Sequence, residues 1–475
     1  MTELCDLDAV EARALIGRRA ITPVELLDAC LTRIAAANPA LNAITATCFD
    51  RARAEAEDAA AAVAEGRPLG PLHGLPVGIK DLQDTEGLRT TFGSPLFADN
   101  VPTADERIVA AVRAAGGIVV GKTNVPEFGA GGNSTNPVYG ASGNPFAPER
   151  TCGGSSGGSA SALAAGMVPL ATGSDTGGSL RTPAAFCGVV GFRPTPGLSP
   201  MEKKGFGYAP ISVHGPMGRT VADTALLMQA IAAHDPRDPL SAPLGAPLSP
   251  PAPADLSSLT VAISADLGFA PVDPAIRARF EDVAAALAPV FGRAERADPP
   301  LADADRIFDI QRALQFIAAH GARPAAERAL LGPNILENLE QAETFTFRDA
   351  AWAQGAHTAL YRRFLGFMEG RDILISPAVA TPPFPHATLA PTTIGGAPMR
   401  TYFHWLAMAY GLTLTGHPCI VLPCGLDADG LPFSIQLCGR RGGDARLLAV
   451  AQAVESALVG LGLGRPIPDL ERLSR

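Results

Sequence analysis

Two stretches of this chain are built largely from serine and glycine: "CGGSSGGSASALAAG" at 152–166 and "GSDTGGSLR" at 173–181. Glycine allows close backbone approach and φ values that other residues resist. Serine carries a hydroxyl that becomes a nucleophile once a base takes its proton. The two stretches are therefore candidate walls of one active site. A flexible linker would stay polar for longer, whereas the first stretch runs into an alanine-rich helical pattern and the second into "SLRTPAAFCGVVGF". A serine nucleophile needs a base. Eight histidines occur, but none adjoins either stretch in sequence, and the surroundings of Ser179, Gly177-Gly178-Ser179-Leu180-Arg181, are not a G-x-S-x-G elbow. A lysine kept neutral by burial is a competent alternative. "LPVGIKDL" at 75–82 sets Lys80 in an apolar, strand-like run, where desolvation disfavours its ammonium. A lysine base predicts activity that rises towards mildly alkaline pH.

Three other chemistries are weaker. Gly116-x-x-x-x-Gly121-Lys122-Thr123 matches the phosphate-loop pattern, but its middle positions, Gly-Ile-Val-Val, read as a strand, and a Pro126-containing loop follows instead of a helix. Cys152 beside the glycines reads as a small buried residue rather than a thiol nucleophile. No H-x-x-x-H or Cys/His cluster points to a metal.

The segment "GGSSGGSASALAAGMVPLATGSDTGGSLRTPAAFCGVVGFRPT" (153–195) resembles the amidase signature, and "GPLHGLPVGIKDL" (70–82) resembles the part of that family that supplies its base. Ser155 follows Lys80 by 75 residues and Ser179 follows Ser155 by 24, spacings typical of the family that favour Ser155 over its neighbour Ser156 as the bridging serine. The resemblance is specific over about 70–225 and looser over 240–400. It implies a Ser–cisSer–Lys triad with Ser179 as nucleophile, Ser155 as bridge and Lys80 as ultimate base. It also implies an oxyanion hole from the backbone N–H groups of Thr176, Gly177, Gly178 and Ser179, with Asp175 and Arg181 organising the loop. "FGAGGNST" (128–135) is similar to a loop over the acyl site, which makes Gly129, Ala130, Gly131 and Gly132 candidate substrate contacts, with Phe316 from "IQRALQF". The aromatics of 401–411 read equally as core. No cofactor and no metal are expected. The implied activity is hydrolysis of a small-molecule amide (primary amide, anilide, carbamate or similar), with ester cleavage as a side activity. A glutaminase subunit of a glutamine-dependent amidotransferase is the alternative, although 308–345 does not look like that subunit's corresponding stretch. A relic binding protein is a third reading, disfavoured because all three triad residues are present.

The elements that must position these residues alternate. "TPVELLDACLTRIAAANP" reads as a helix with Thr22 as cap, Pro23 in the first turn and Glu25 closing a capping box. A second helix is expected at about 50–65, strands at 75–82 and 116–123, and a helix between those strands. After the proline-rich stretch 236–256, "LTVAIS", "DILISPA" and "PCIVLPC" read as buried strands, "PAIRARFEDVAAALAPV" as a helix and "DARLLAVAQAVESAL" as the final helix. Strand–helix alternation argues for an α/β fold with a largely parallel sheet. The resemblance implies instead a single domain over 1–475, with a large mixed central sheet covered by helices on both sides. Arg219 and Asp223 look like a fold-stabilising pair.

The whole-chain numbers agree with a buried globular core: 47% of the 475 residues are hydrophobic and 18% charged. Net charge is −9 and no basic run stands out, so nucleic acid is not an expected partner. The eight cysteines include no C-x-x-C pair, and neither a signal peptide nor an apolar run of membrane-spanning length is evident, so a cytoplasmic protein is expected. Monomer and homodimer both remain open.

Overall fold

The computed structural model describes residues 3–243, 248 and 252–474. Local chemistry starts its helices where the sequence signals do. The Thr22 side chain accepts the Glu25 N–H at 3.1 Å and the Glu25 carboxylate accepts the Thr22 N–H at 2.8 Å, opening the helix Pro23–Leu41. This box satisfies amides that would otherwise lack a partner. The next helix is Phe49–Ala64, and the one between the first two predicted strands is Arg107–Ala114.

Eleven strands form one sheet: β1 (Ile44–Thr47), β2 (Pro76–Lys80), β3 (Ile118–Thr123), β4 (Leu170–Asp175), β5 (Val190–Arg193), β6 (Val213–Gly218), β7 (Thr260–Ile263), β8 (Arg293–Arg296), β9 (Ile373–Pro377), β10 (Cys419–Leu426) and β11 (Pro432–Cys438). Their spatial order is β1-β3-β2-β4-β6-β5-β10-β11-β9-β7-β8. The expectation of a largely parallel sheet is corrected. Only four of the ten pairings are parallel, β2–β3, β2–β4, β7–β8 and β7–β9. Parallel neighbours need a long crossover, and these pairs sit on the two flanks. The middle is antiparallel. There β10 and β11 are joined through a tight turn in which the Asp427 carboxylate accepts the N–H groups of Asp429 and Leu431, both at 2.9 Å.

Every residue of β2, β3, β9 and β11 is buried. Successive strand side chains point to opposite faces, so both faces of the sheet are covered. One apolar core cluster reaches from Cys5 to Leu473. The described part of 236–255 forms neither helix nor strand, and 244–247 and 249–251 of the proline-rich stretch lie outside the described residues. Arg219 and Asp223 are not an ion pair. The Arg219 guanidinium donates to the carbonyls of Leu7 and Val168, and Asp223 accepts the Val10 N–H at 3.0 Å, so both hold the N-terminal segment.

For the candidate site, the useful result is that β2 and β4 run parallel and adjacent, with Lys80 and Asp175 as their last residues. Parallel neighbours bring their carboxyl ends to the same side of the sheet, where loops of open α/β sheets build ligand sites.

Candidate active site

Lys80 is fully buried at the end of β2. Its Nζ lies 2.8 Å from Ser155 Oγ, 2.8 Å from Ser156 Oγ and 2.9 Å from Ser174 Oγ. Burial pushes its pKa down from 10.5 to about 7, against a raising influence from the Asp175 carboxylate. At neutral pH a large share of the amine therefore carries a lone pair that can take a hydroxyl proton. The Gly154–Ser155 peptide is cis. Ser155 and Ser156 lie equally close to the lysine, so this geometry does not by itself repeat the spacing's preference for Ser155, and Ser174 is a third hydroxyl neighbour that the sequence reading missed. No spacing rule would have found Ser174, which lies on the neighbouring strand β4.

The second serine–glycine stretch leaves β4 and turns into the helix Arg181–Cys187. Its anchor is Asp175, which is fully buried. Burial raises the pKa of this carboxyl, but Arg181 and Arg193 outweigh burial and hold it well below the usual carboxylate range. Arg181 Nε meets Asp175 at 3.0 Å and Arg193 Nη1 meets it at 3.1 Å. Arg181 continues across to the second half of the chain, donating to Ala409 O and Thr413 Oγ1, each at 2.8 Å. One expectation fails here. The Gly178 N–H donates to Asp175 at 2.9 Å, so it is occupied and drops out of the candidate oxyanion donors. The N–H groups of Thr176, Gly177 and Ser179 have no acceptor among the described residues. Gly178 is still needed as glycine. Its φ is +117°, and a Cβ there would lie 2.5 Å from the Ala409 Cβ. The two stretches touch directly: Ser156 N–H donates to Ser179 O at 3.2 Å.

Ser179 opens onto a cavity of about 200 Å³ together with Thr176, Ser212, Phe128 and Gly129. The opposite wall is the helix Ala304–His320, which presents Arg312, Gln315, Phe316 and His320. Ser155 borders the same place, because a Cβ on Gly129 would lie 3.2 Å from Ser155 Oγ. Of the expected substrate contacts, Gly129 and Phe316 line this cavity. Ala130, Gly131 and Gly132 do not. Ala130 packs with Leu331, Ile335 and Leu339, and a Cβ on Gly132 would lie 2.4 Å from the Trp405 ring, so that part of the loop faces away. The Gly131–Gly132 backbone instead packs against Gly154. Arg312, Gln315 and His320 were missed as site residues. Arg312 and His320 stand four residues before and after Phe316, and Gln315 three after Arg312, the helical spacings that mark neighbours on one side of a helix. Of the residues expected to be either core or entrance, Phe403, Trp405 and Tyr410 are core.

Competing chemistries find no support in this geometry. Burial holds the Cys152 thiol near pKa 12. His320 shares the cavity, but burial, with Arg323 adding to it, pushes its pKa down to about 4, and no hydrogen bond joins it to Ser179 among the described residues. Lys122 of the phosphate-loop look-alike is buried in β3 and donates to Gln83 O and Thr85 Oγ1. Glu3, Cys5 and Asp6 cluster closely enough to share a cation, but Arg33 already pairs with both carboxylates.

Comparison with known proteins shows which class of enzyme carries this large mixed sheet. The Amidase family model matches residues 25–448. An acylamidase of Rhodococcus erythropolis is 35% identical over 454 residues, covering 95% of each chain. A glutamyl-tRNA(Gln) amidotransferase subunit of Chloroflexus aurantiacus is 35% identical over 484 residues, covering 96% of this chain and 97% of the relative. The structure of a bacterial aryl acylamidase of the amidase signature family superposes with a TM-score of 0.89 at 26% identity, over 97% of this chain and 99% of that one. The chain belongs to the amidase signature family, and it is a hydrolase of amide C–N bonds. No helix among the described residues is long and apolar enough to cross a membrane.

Proposed function

We propose that the protein is an acylamidase-type hydrolase that cleaves small-molecule amides through an acyl-enzyme on Ser179. The observation that carries this reading is the buried Lys80 amine, with a pKa of about 7, at 2.8 Å from Ser155, beside the cavity that holds Ser179. Ser179 Oγ attacks the amide carbonyl carbon. Its proton passes to Ser155 Oγ as the Ser155 proton passes to Lys80 Nζ. The oxygen of the tetrahedral adduct takes negative charge, held by the N–H groups of Thr176, Gly177 and Ser179. The C–N bond then breaks, the leaving nitrogen takes its proton from Ser155, and Lys80 returns a proton to Ser155. Water repeats the sequence on the acyl-enzyme and releases the acid. Asp175 and Arg181 fix the loop and do not react.

A second reading, supported by the 35% identity to the amidotransferase relative, is a glutaminase that releases ammonia within a complex. The experiment that separates them is product release from anilides, aliphatic primary amides, carbamates and glutamine by the isolated chain, beside Ser179→Ala. Turnover of acyl amides by the wild type alone supports the acylamidase reading. Activity confined to glutamine and dependent on partner proteins supports the other. Equal rates for wild type and Ser179→Ala refute both.

A further inference from the structure

The wall facing Ser179 contains a buried positive charge with no counter-charge. Arg312 is 6% exposed and has no carboxylate within ion-pair distance among the described residues. Asp309, one turn earlier on the same helix, is engaged by Arg400 at 2.7 Å. Among the described residues the Arg312 guanidinium donates only to Tyr402 OH, an oxygen that also accepts from Asn338 at 2.6 Å. Its Nε is buried without an acceptor. The rings of Phe316, Tyr402 and Phe403 surround it at 4.7, 5.4 and 4.9 Å, which fixes the plane of the group without neutralising it. Beside it, Gln315 accepts from Ser212 at 3.4 Å while its own Nε2 is buried without an acceptor. Buried charges are costly unless paired and hydrogen-bonded. Both side chains line the catalytic cavity, and neither has the full set of partners that burial demands, so together they form a receptor for an acceptor that arrives with the substrate.

We infer that Arg312 and Gln315 form a subsite for a carboxylate carried by the amide substrate. The enzyme's preferred substrates are therefore short amides bearing a second, ionised carboxyl group. This inference rests on Ser179 being the nucleophile, because that places the subsite and the scissile bond in one cavity. Guanidinium meets carboxylate as a planar fork, so the contact selects for a carboxylate over a neutral group of equal size.

Two matched pairs of substrates test this. The 4-nitroanilides of glutaric and pentanoic acids differ by a carboxylate on the acyl side. 4-Acetamidobenzoate and 4-acetamidotoluene differ by one on the amine side. The ratio of kcat/KM within each pair is read for wild type, Arg312→Met, Arg312→Lys and Gln315→Leu. The expected result is a wild-type preference for the charged member of one pair of about 10- to 100-fold, the range of a hydrogen bond to a charged group. That pair then shows which side of the amide carries the carboxylate. Arg312→Met should bring the ratio close to one, with Arg312→Lys and Gln315→Leu between. A wild-type ratio near one in both pairs, or a ratio unchanged by Arg312→Met, overturns the inference. If Arg312→Met does not fold, the wild-type ratios and Gln315→Leu decide alone. The two readings fail differently. Turnover of the neutral amides, absent in Ser179→Ala, leaves the hydrolase reading standing even if no preference appears. If no amide turns over, that reading fails, and calorimetric binding of the two pairs to the intact protein still shows whether the carboxylate is recognised.

Discussion

In the proposed mechanism the chemistry depends on one amine. Lys80 has a pKa near 7 chiefly because burial disfavours its ammonium. With the neutral form as the proposed base, kcat/KM should rise with pH through about 7 and then level off. His320, already neutral above about 4, should leave no inflection in that window. A profile flat from pH 6 to 9 with chemistry rate-limiting would remove lysine from the role of base. The same displacement affects stability. Between about 7 and 10.5 the unfolded chain holds a proton on this lysine that the folded one lacks. The stability this group allows is thus lost as pH falls across that window and is low below it. Substituting the hydroxyl neighbours should rank them. Ser179→Ala should lower kcat by roughly 10³-fold or more, and Ser155→Ala should do nearly as much if the proton passes through it. Ser156→Ala, which also loses a 2.8 Å contact to Lys80, separates the bridge from a second ligand of the amine. The burial of Lys80 and the closeness of the two serine–glycine runs were legible in the sequence, because an apolar strand announces a desolvated lysine and serine–glycine runs announce a tight backbone, whereas the choice of Ser155 and Ser179 within those runs came from the family resemblance. Ser174 and Arg312 were not legible as site residues, because only strand pairing and helix docking bring them in.

At the scale of elements, the loop between β4 and the helix Arg181–Cys187 is held by one carboxylate and two guanidinium groups, all fully buried. A sequence shows that Asp175 and Arg181 flank Ser179. It does not show that the carboxylate consumes the Gly178 N–H, because an aspartate can accept from any amide its loop turns towards it. Two substitutions separate support from chemistry. Gly178→Ala places a Cβ 2.5 Å from Ala409 at a φ of +117°. The loop must shift, so kcat should fall by on the order of 10²-fold, the scale of a displaced oxyanion donor, with a smaller effect on KM. Arg181→Met removes one partner of a buried charge pair and should cost about 3 kcal/mol of stability, read as a lowered denaturation midpoint. An Arg181→Met protein as stable as wild type would mean that Arg193 alone satisfies Asp175.

The whole molecule divides along its sheet. Strands β1–β6 come from residues before the proline-rich stretch and occupy one contiguous part, and β7–β11 occupy the rest. They join at β5–β10, where Arg193, Phe192 and Gly191 pair with Cys419, Ile420 and Val421. The first part holds Lys80, Ser155 and Ser179, whereas the cavity wall with Arg312 belongs to the second. Neither part makes the site alone. The contacts that unite them are of the kind that resists separation: a continuous ladder, one apolar core and the bonds from Arg181 to Ala409 and Thr413. Strand–helix alternation could reveal the elements but not this seam, since it is made by pairings between residues more than 200 positions apart. The proline-rich stretch should therefore be a connection within one cooperative unit rather than a boundary between two. Calorimetry of the full chain should show a single unfolding transition, and Arg181→Met should move all of it to lower temperature. Two transitions, with only one displaced by the substitution, would mean that the halves fold separately and that the active site assembles only when they dock.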